Sequence, residues 1–115
     1  MQDLIITTIQ TQLFWEDVQK NLEHFDKKIN EIDGPIDIIV LPEMFTTGFT
    51  MNPIKLAEQH GGTGLQWMLN KSKEKNCVIV GSISVIENNN YFNRLYWTSP
   101  DGTYEYYDKR HLFRM

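Results

Sequence analysis

The sequence predicts an α/β fold in which helices pack on a sheet whose first strands are parallel and whose last strands are joined by hairpins. Two observations support this prediction. An amphipathic helix pattern separates two short apolar runs at residues 4–9 and 36–41, which is the arrangement of a βαβ unit with a right-handed crossover. Further along, two strand-like segments flank a Ser-Pro-Asp-Gly turn at residues 99–102, a strong hairpin signal.

The composition is that of one ordinary globular domain, with 115 residues, 41% hydrophobic and 23% charged. The formal net charge is −4 and the basic residues are scattered, which argues against a nucleic-acid partner. No apolar run approaches the roughly 20 residues that span a bilayer, and the amino terminus lacks the layout of a signal peptide. We therefore expect no membrane association and a cytoplasmic location. The single cysteine cannot form an internal disulfide, which agrees with a reducing compartment.

The first half of the chain predicts a strand, a helix and a second strand. Residues 4–9 form the first strand, and the helix runs from Asp17 to Ile32 with an apolar stripe that repeats at spacings of four, three, four and three. The stripe consists of Val18, Leu22, Phe25, Ile29 and Ile32. Turn residues at 33–35 end the helix and lead into the second strand.

That second strand, Ile38 to Leu41, is short, apolar and β-branched, as expected of a strand buried on both faces. Pro42 stops it, so Glu43 is delivered just past its carboxyl end, the edge where open α/β sheets bind ligands. Desolvation there is expected to raise the pKa of Glu43, which suits a general base. The alternative is a solvated loop glutamate, because perturbed carboxylates mark sites only statistically.

The second half predicts a loop excursion over residues 51–62 with one turn of helix, followed by a helix over residues 64–75. Thr63 and Gln66 fit a capping box for that helix, and Lys71 is expected to point to water. Three strands follow at residues 77–85, 91–98 and 103–108, which gives the order β-α-β-α-β-β-β.

Other candidate residues carry weaker signals. His24, His60 and His111 lack metal-ligand spacing, so we expect no metal site. Cys77 opens an apolar strand and is expected to be a buried structural thiol. The three tryptophans are expected in the core, since no basic groove accompanies them. They are Trp15, Trp67 and Trp97.

The end of the chain carries large apolar residues and no polar tail. Leu112 and Phe113 are followed only by Arg114 and Met115, and they resemble the opening of a segment that packs on something further along. We expect either a truncated chain or another chain that supplies the missing surface.

Two motifs give the chain a family resemblance. Leu-Pro-Glu-Met-Phe at residues 41–45, after an apolar strand, and Tyr-Asp-Lys-Arg-His-Leu-Phe at residues 107–113, after the hairpin, resemble two of the three catalytic motifs of the nitrilase superfamily of carbon–nitrogen hydrolases. Asn93-Arg94 and Gly81-Ser82 are also similar to this family. The longer strings around the two motifs resemble the bacterial omega-amidase branch, which hydrolyses the terminal amide of 2-oxo acid amides such as 2-oxoglutaramate.

The resemblance implies a Glu, Lys and Cys triad that needs no metal or organic cofactor. Glu43 would be the general base and Lys109 the cation that stabilises the oxyanion, while a thiolate attacks the amide carbon and a thioester is hydrolysed. The family's cysteine follows the lysine motif, so residues 1–115 would be a partial domain without its carboxyl-terminal half. The implied fold is the amino-terminal half of a four-layer α-β-β-α sandwich. Phe49 would wall the substrate pocket, although ordinary packing fits it equally well.

Two functions stay open at this point. The chain is part of an amidase of the omega-amidase type that acts on a small-molecule amide substrate, or it is a truncated, non-catalytic fragment or pseudoenzyme that self-associates or pairs with a complementary half. In both cases half of a sandwich leaves one sheet face without its cover, and we expect a homo-oligomer that forms through that face. Without the nucleophile we expect the 115-residue chain alone to be inactive.

Overall fold

The structure is a computed structural model that describes residues 3–49 and 52–109. The predictions for His111, Leu112 and Phe113 lie outside the described residues. Within the described residues the chain forms three helices and six strands, the last three strands in succession. They are β1 (Ile6–Thr8), α1 (Val18–Asn30), β2 (Ile38–Val40), α2 (Pro53–Leu56), β3 (Glu58–Gln59), α3 (Thr63–Lys75), β4 (Val78–Glu87), β5 (Asn90–Thr98) and β6 (Tyr104–Asp108).

All six strands join one mixed sheet in the order β1-β2-β4-β5-β6, with β3 paired to the far end of β4. The pairs β1/β2, β2/β4 and β3/β4 are parallel, whereas β4/β5 and β5/β6 are antiparallel. The predicted α/β fold with parallel first strands and late hairpins is therefore confirmed. The two-residue strand β3 was not predicted, because two residues carry no periodicity.

Both long helices contribute to a single core on one face of the sheet. Asp17 caps α1 by accepting the backbone N–H of Lys20 at 3.0 Å, and Asn76 ends α3 in the left-handed conformation. The core combines alternate residues of the central strands with one stripe from each helix, and its fully buried members include Phe25, Ile29, Ile39, Leu65, Met68, Ile79, Ile83 and Tyr96. Thus the helix-covered face is a conventional packed layer.

The opposite side of the sheet is here called the open sheet face; its apolar and aromatic residues are Ile38, Val40, Val78, Val80, Leu95, Trp97 and Tyr107, and Glu105 lies beside Trp97. Side chains alternate along a strand, and the strand register places these residues side by side across β2, β4, β5 and β6. Trp97 is 44% exposed and Tyr107 58% exposed. In the four-layer sandwich that the resemblance implies, a second sheet would cover this face.

The predicted capping box of α3 is wrong. The N-cap residue is Gly62, and no side chain of the N-cap position bonds to the helix. Instead the carboxylate of Glu58 reaches the first turn and accepts the backbone N–H of Gly64 at 2.8 Å. The cap comes from outside the local sequence window, so a local motif could not reveal it.

Three side-chain placements also differ from the predictions. Lys71 is only 8% exposed, because its ammonium lies 2.8 Å from Asp26 of α1 and joins the two helices. Trp15 and Trp97 are 62% and 44% exposed instead of lying in the core. Trp67 does pack against the core, and its indole N–H donates to Asp26 at 2.9 Å.

Candidate active site

Glu43 lies in the loop that follows β2, as the Pro42 signal predicts. The peptide N–H of Leu41 still donates to Val80 of β4 at 2.8 Å, and the chain leaves the sheet at the next residue. Met44 and Phe45 are fully buried, whereas Glu43 remains at the surface. The loop therefore anchors itself with its apolar side chains and leaves the carboxylate accessible.

Hydrogen bonds fix the conformation of this loop. Met44 has a positive φ of 55°, which is unusual for a residue other than glycine. Its N–H donates to the hydroxyl of Ser82 at 2.9 Å. On the other side of the loop the amide of Asn21, a fully buried residue of α1, donates to the carbonyl of Thr46 at 2.8 Å. The backbone on either side of Glu43 is thus held by β4 and by α1.

Lys109 meets Glu43 even though 66 positions separate them in the sequence. The ammonium nitrogen lies 2.6 Å from Oε1 of Glu43, and each side chain is 38% exposed. Lys109 follows β6 directly, and its backbone N–H donates to the carbonyl of Asn93 at 3.0 Å. The two residues singled out by the two motifs therefore meet in the folded chain.

Asn93 is a third member of the cluster that the motif analysis did not assign to the site. Its side-chain amide donates to Oε1 of Glu43 at 2.7 Å, and the residue is 6% exposed. Among the described residues, its own Oδ1 is buried without a hydrogen-bond partner, as is the hydroxyl of Ser84 directly opposite on β4. One sequence signal could have pointed to Asn93 as a site residue. Asn93 and Arg94 are two consecutive polar residues between the aromatic and apolar residues of this strand.

The pKa of Glu43 moves in the direction opposite to the prediction. The hydrogen bond from Lys109 is the largest cause and lowers the pKa of Glu43, and the bond from Asn93 lowers it further. Desolvation, which acts the other way, is outweighed because the carboxylate stays accessible. The carboxylate is therefore ionised at neutral pH.

Cys77 lies apart from this cluster. Cys77 is 3% exposed, and burial raises the pKa of its thiol, as predicted for a structural cysteine. It precedes β4, whereas Glu43 follows the parallel strand β2, so the two lie toward opposite ends of these strands. Phe49, at the end of the Glu43 loop, is 60% exposed.

The two histidines within the described residues each form a hydrogen bond to a hydroxyl group. His24 contacts the hydroxyl of Thr11 at 2.9 Å, and His60 contacts the hydroxyl of Tyr96 at 3.0 Å. The described part of the chain contains no group of three or more His, Cys, Asp or Glu side chains that could hold a metal ion. Nor does it contain a helix long and apolar enough to cross a membrane.

A glutamate just past a buried strand and a lysine just past a hairpin meet on one mixed α/β sheet, as the resemblance to carbon–nitrogen hydrolases leads us to expect. The carbon–nitrogen hydrolase family model matches residues 5–115. The chain belongs to this family.

Comparison with curated proteins refines the relationship. The chain is 42% identical to omega-amidase YafV of Escherichia coli over 115 residues, which is 100% of this chain and 44% of that protein. It is 26% identical to the 2-oxoglutaramate amidase of Bacillus subtilis over 113 residues, 96% of this chain and 44% of that protein. The chain thus spans less than half the length of these relatives.

Solved structures agree with the predicted half-sandwich. The crystal structure of a carbon–nitrogen hydrolase superfamily protein from Xanthomonas campestris superposes with a TM-score of 0.91 at 36% identity and covers 98% of this chain and 43% of that chain. A nitrilase-superfamily member from Saccharomyces cerevisiae gives a TM-score of 0.79 at 18% identity, which shows the fold alone. The described sheet and helices correspond to part of the nitrilase-superfamily fold.

Proposed function

We propose that this chain forms the part of an amide hydrolase that carries the general base Glu43 and the oxyanion-stabilising cation Lys109. The observation that supports this most directly is the 2.6 Å contact between the two side chains, since they come from the two motifs that resemble catalytic motifs of the family. The substrate class we propose is 2-oxo acid amides such as 2-oxoglutaramate, which rests on the similarity to the omega-amidases.

The contacts of Glu43 suggest which oxygen acts as the base. Among the described residues, both hydrogen bonds to its carboxylate, from Lys109 and from Asn93, go to Oε1. Oε2 is left to accept the proton of an attacking thiol and later the proton of the hydrolytic water. When the Lys109 ammonium moves onto the developing oxyanion, it stabilises the carboxylate less, so the pKa of Glu43 rises as the proton arrives.

The nucleophile in this proposal is a cysteine outside the 115 residues. Cys77, the chain's single cysteine, is buried and has a raised thiol pKa, whereas a nucleophilic thiol needs an accessible, electropositive setting. Residues 1–115 are accordingly a partial carbon–nitrogen hydrolase domain that does not turn over amides alone. A cytoplasmic location is part of the proposal, since one cysteine in 115 residues agrees with the low disulfide use of a reducing compartment.

Phe49 is proposed to line the acyl side of the substrate pocket. It follows the Glu43 loop and is largely exposed, although apolar residues in a finished pocket are covered by substrate or by other protein surface. No cofactor takes part, because the thiolate, the carboxylate and the ammonium together supply the chemistry of amide hydrolysis.

A second candidate function is a non-catalytic chain that associates with another copy. The observation in its favour is the open sheet face, where Trp97 and Tyr107 are exposed beside half-buried Val80 and Leu95. A surface of this kind is a common protein–protein contact.

A chimera tests the first candidate directly. Residues 1–115 replace the matching part of the Escherichia coli relative, and ammonia release from 2-oxoglutaramate is measured. We expect activity that falls by about 10²- to 10⁴-fold in Glu43→Gln and about 10²- to 10³-fold in Lys109→Ala, and that survives in the control Cys77→Ala. An active chimera whose rate is unchanged by Glu43→Gln would refute the assignment, and steady turnover by the 115-residue chain alone would refute the need for an outside nucleophile.

A further inference from the structure

Arg94 is a buried cation that the proposed chemistry leaves unexplained. It is 2% exposed and lies in the middle of β5, directly after Asn93. Because side chains alternate along a strand, Asn93 points to the face that carries Glu43, whereas Arg94 points to the face that carries the helices. A fully buried arginine needs several partners to offset its lost hydration.

Asp108 is the principal partner of Arg94. Nε of the guanidinium donates to Oδ1 of Asp108 at 2.6 Å, and Nη2 donates to Oδ2 at 3.0 Å. The two residues also face each other in the register of β5 and β6. This is the bidentate geometry in which the planar fork of arginine fixes both the position and the orientation of a carboxylate.

Further contacts hold the guanidinium itself in place. Nη1 donates to Glu87 at 2.7 Å and lies 3.0 Å from Nδ1 of His60, which must act as the acceptor because a guanidinium only donates. The guanidinium carbon also sits 4.4 Å from the centre of the Tyr106 ring, within cation–π distance. Arg94 therefore cannot move without breaking contacts to β4, β6 and the loop after β3.

The carboxyl-terminal end of β6 has few other contacts that would hold it in position. In the described sheet β6 pairs with β5 alone, and its residues Tyr104 to Tyr107 are all exposed. Edge segments with few buried contacts open locally at little free-energy cost. Asp108 is the last residue of β6, and Lys109 follows it directly.

We propose that Arg94 is a positioning residue that clamps Asp108 from the helix-covered face and so places the Lys109 ammonium against Glu43 on the opposite face. This inference rests on the proposed function for its catalytic meaning, although the clamp itself can be tested without any activity. Two consecutive residues of β5 then act on the same site from opposite faces of the sheet. Asn93 contacts Glu43 directly, whereas Arg94 holds Asp108 and so fixes the backbone position of Lys109.

The test measures the titration of the Glu43 carboxyl group in the 115-residue chain by carbon-detected NMR, with Glu43→Gln used to assign the signal. Lys109→Met gives the midpoint of Glu43 without its ammonium partner. The informative variant is Asp108→Asn. Removing a negative charge would by itself lower the pKa of Glu43, so a rise in the midpoint reports the lost Lys109 contact. Arg94→Gln and the double variant complete a thermodynamic cycle.

We expect Asp108→Asn and Arg94→Gln each to raise the Glu43 midpoint most of the way to that of Lys109→Met, with no further rise in the double variant. Asp26→Asn is the matched control, because it breaks another ion pair, with Lys71 at 2.8 Å, away from the site. A midpoint that stays at the wild-type value in Asp108→Asn, or that rises equally in Asp26→Asn, would overturn the clamp.

Activity provides a second arm that separates this inference from the proposed function. In the chimera described above, Asp108→Asn should lower kcat by about 10²-fold with little change in KM, as expected when a catalytic group is displaced by about 1 Å. Unchanged kcat in Asp108→Asn, together with activity lost in Lys109→Ala, would refute the clamp alone. An inactive wild-type chimera would count against the proposed function. The NMR titration would then test by itself whether Arg94 and Asp108 position Lys109.

Discussion

Glu58 caps α3 from outside the helix, with Oε1 and Oε2 of its carboxylate accepting the N–H of Gly64 at 2.8 and 3.0 Å. Leu65 adds a longer bond to Oε2 at 3.4 Å. Burial nevertheless raises the pKa of Glu58, because desolvation outweighs these two backbone donors. The main structural role of the short strand β3 is therefore to position Glu58 as the cap of α3.

Glu58→Ala should destabilise the fold by about 1 kcal/mol, the usual cost of losing a helix cap. Urea unfolding followed by circular dichroism measures the change. The control is Thr63→Ala, at the exposed position where the sequence suggested the cap, and it should change the free energy of unfolding by less than about 0.5 kcal/mol. A larger loss for Thr63→Ala than for Glu58→Ala would contradict the cap assignment.

Gly64→Ala should cost about 1–3 kcal/mol, the range found for overpacking a well-packed site. An added Cβ would lie 2.6 Å from Cδ1 of Ile83 and 2.7 Å from Oε1 of Glu58, so it would displace the cap. Glycine-to-alanine changes inside helices otherwise stabilise by roughly 0.5–1 kcal/mol. Thermal melting that shows a gain in stability for Gly64→Ala would rule out this steric account.

The ion pair of Glu43 and Lys109 should stabilise the fold at neutral pH and lose that effect in acid. The pKa of Glu43 is lowered in the folded state, so its contribution is present above the ordinary glutamate pKa and disappears as the pH falls through the folded value. The pair is exposed, which limits the contribution to about 1 kcal/mol or less. Unfolding free energies of the wild type and Glu43→Gln, measured across acid pH, should converge as the pH falls, and a gap that widens would contradict the sign.

Trp97→Lys should weaken self-association of the 115-residue chain. Trp97 is 44% exposed on the open sheet face, and a lysine in its place, even with Glu105 opposite it on β6, must be desolvated on contact. Sedimentation equilibrium measures the dissociation constant. Ile54→Lys, at a 67% exposed apolar residue of α2, is the matched control, and equal weakening by both variants would show that association does not use this face specifically.

Phe49→Ala should raise KM in the active chimera with little effect on kcat. Phe49 follows the Glu43 loop and takes no part in the proposed proton transfer or oxyanion contact, so its loss would remove substrate binding that is equal in ground and transition states. Steady-state kinetics with 2-oxoglutaramate separate the two constants. A fall in kcat at unchanged KM would instead assign Phe49 to holding the Glu43 loop.

Local signals in the sequence determined most of the architecture. The four-three spacing of apolar residues placed α1, the β-branched run placed β2, and the proline after it located Glu43 at the edge of the sheet. The Ser-Pro-Asp-Gly turn predicted the second hairpin, and in the structure Asn88 and Asn89, both with positive φ, form the turn of the first. These features are decided within a few residues, because periodicity and turn conformation are properties of the local backbone.

The tertiary structure alone decided the electrostatics and the caps. The pKa of Glu43 is lowered because an ammonium 66 positions away lies 2.6 Å from it, whereas the local sequence suggested a desolvated carboxyl. Lys71 is buried because α1 presents Asp26 to it, and α3 is capped by Glu58 instead of Thr63. Each of these results depends on a residue that is far away in the sequence but close in the fold. Charge interactions and hydrogen bonds depend on the distance between atoms, not on the number of residues between them.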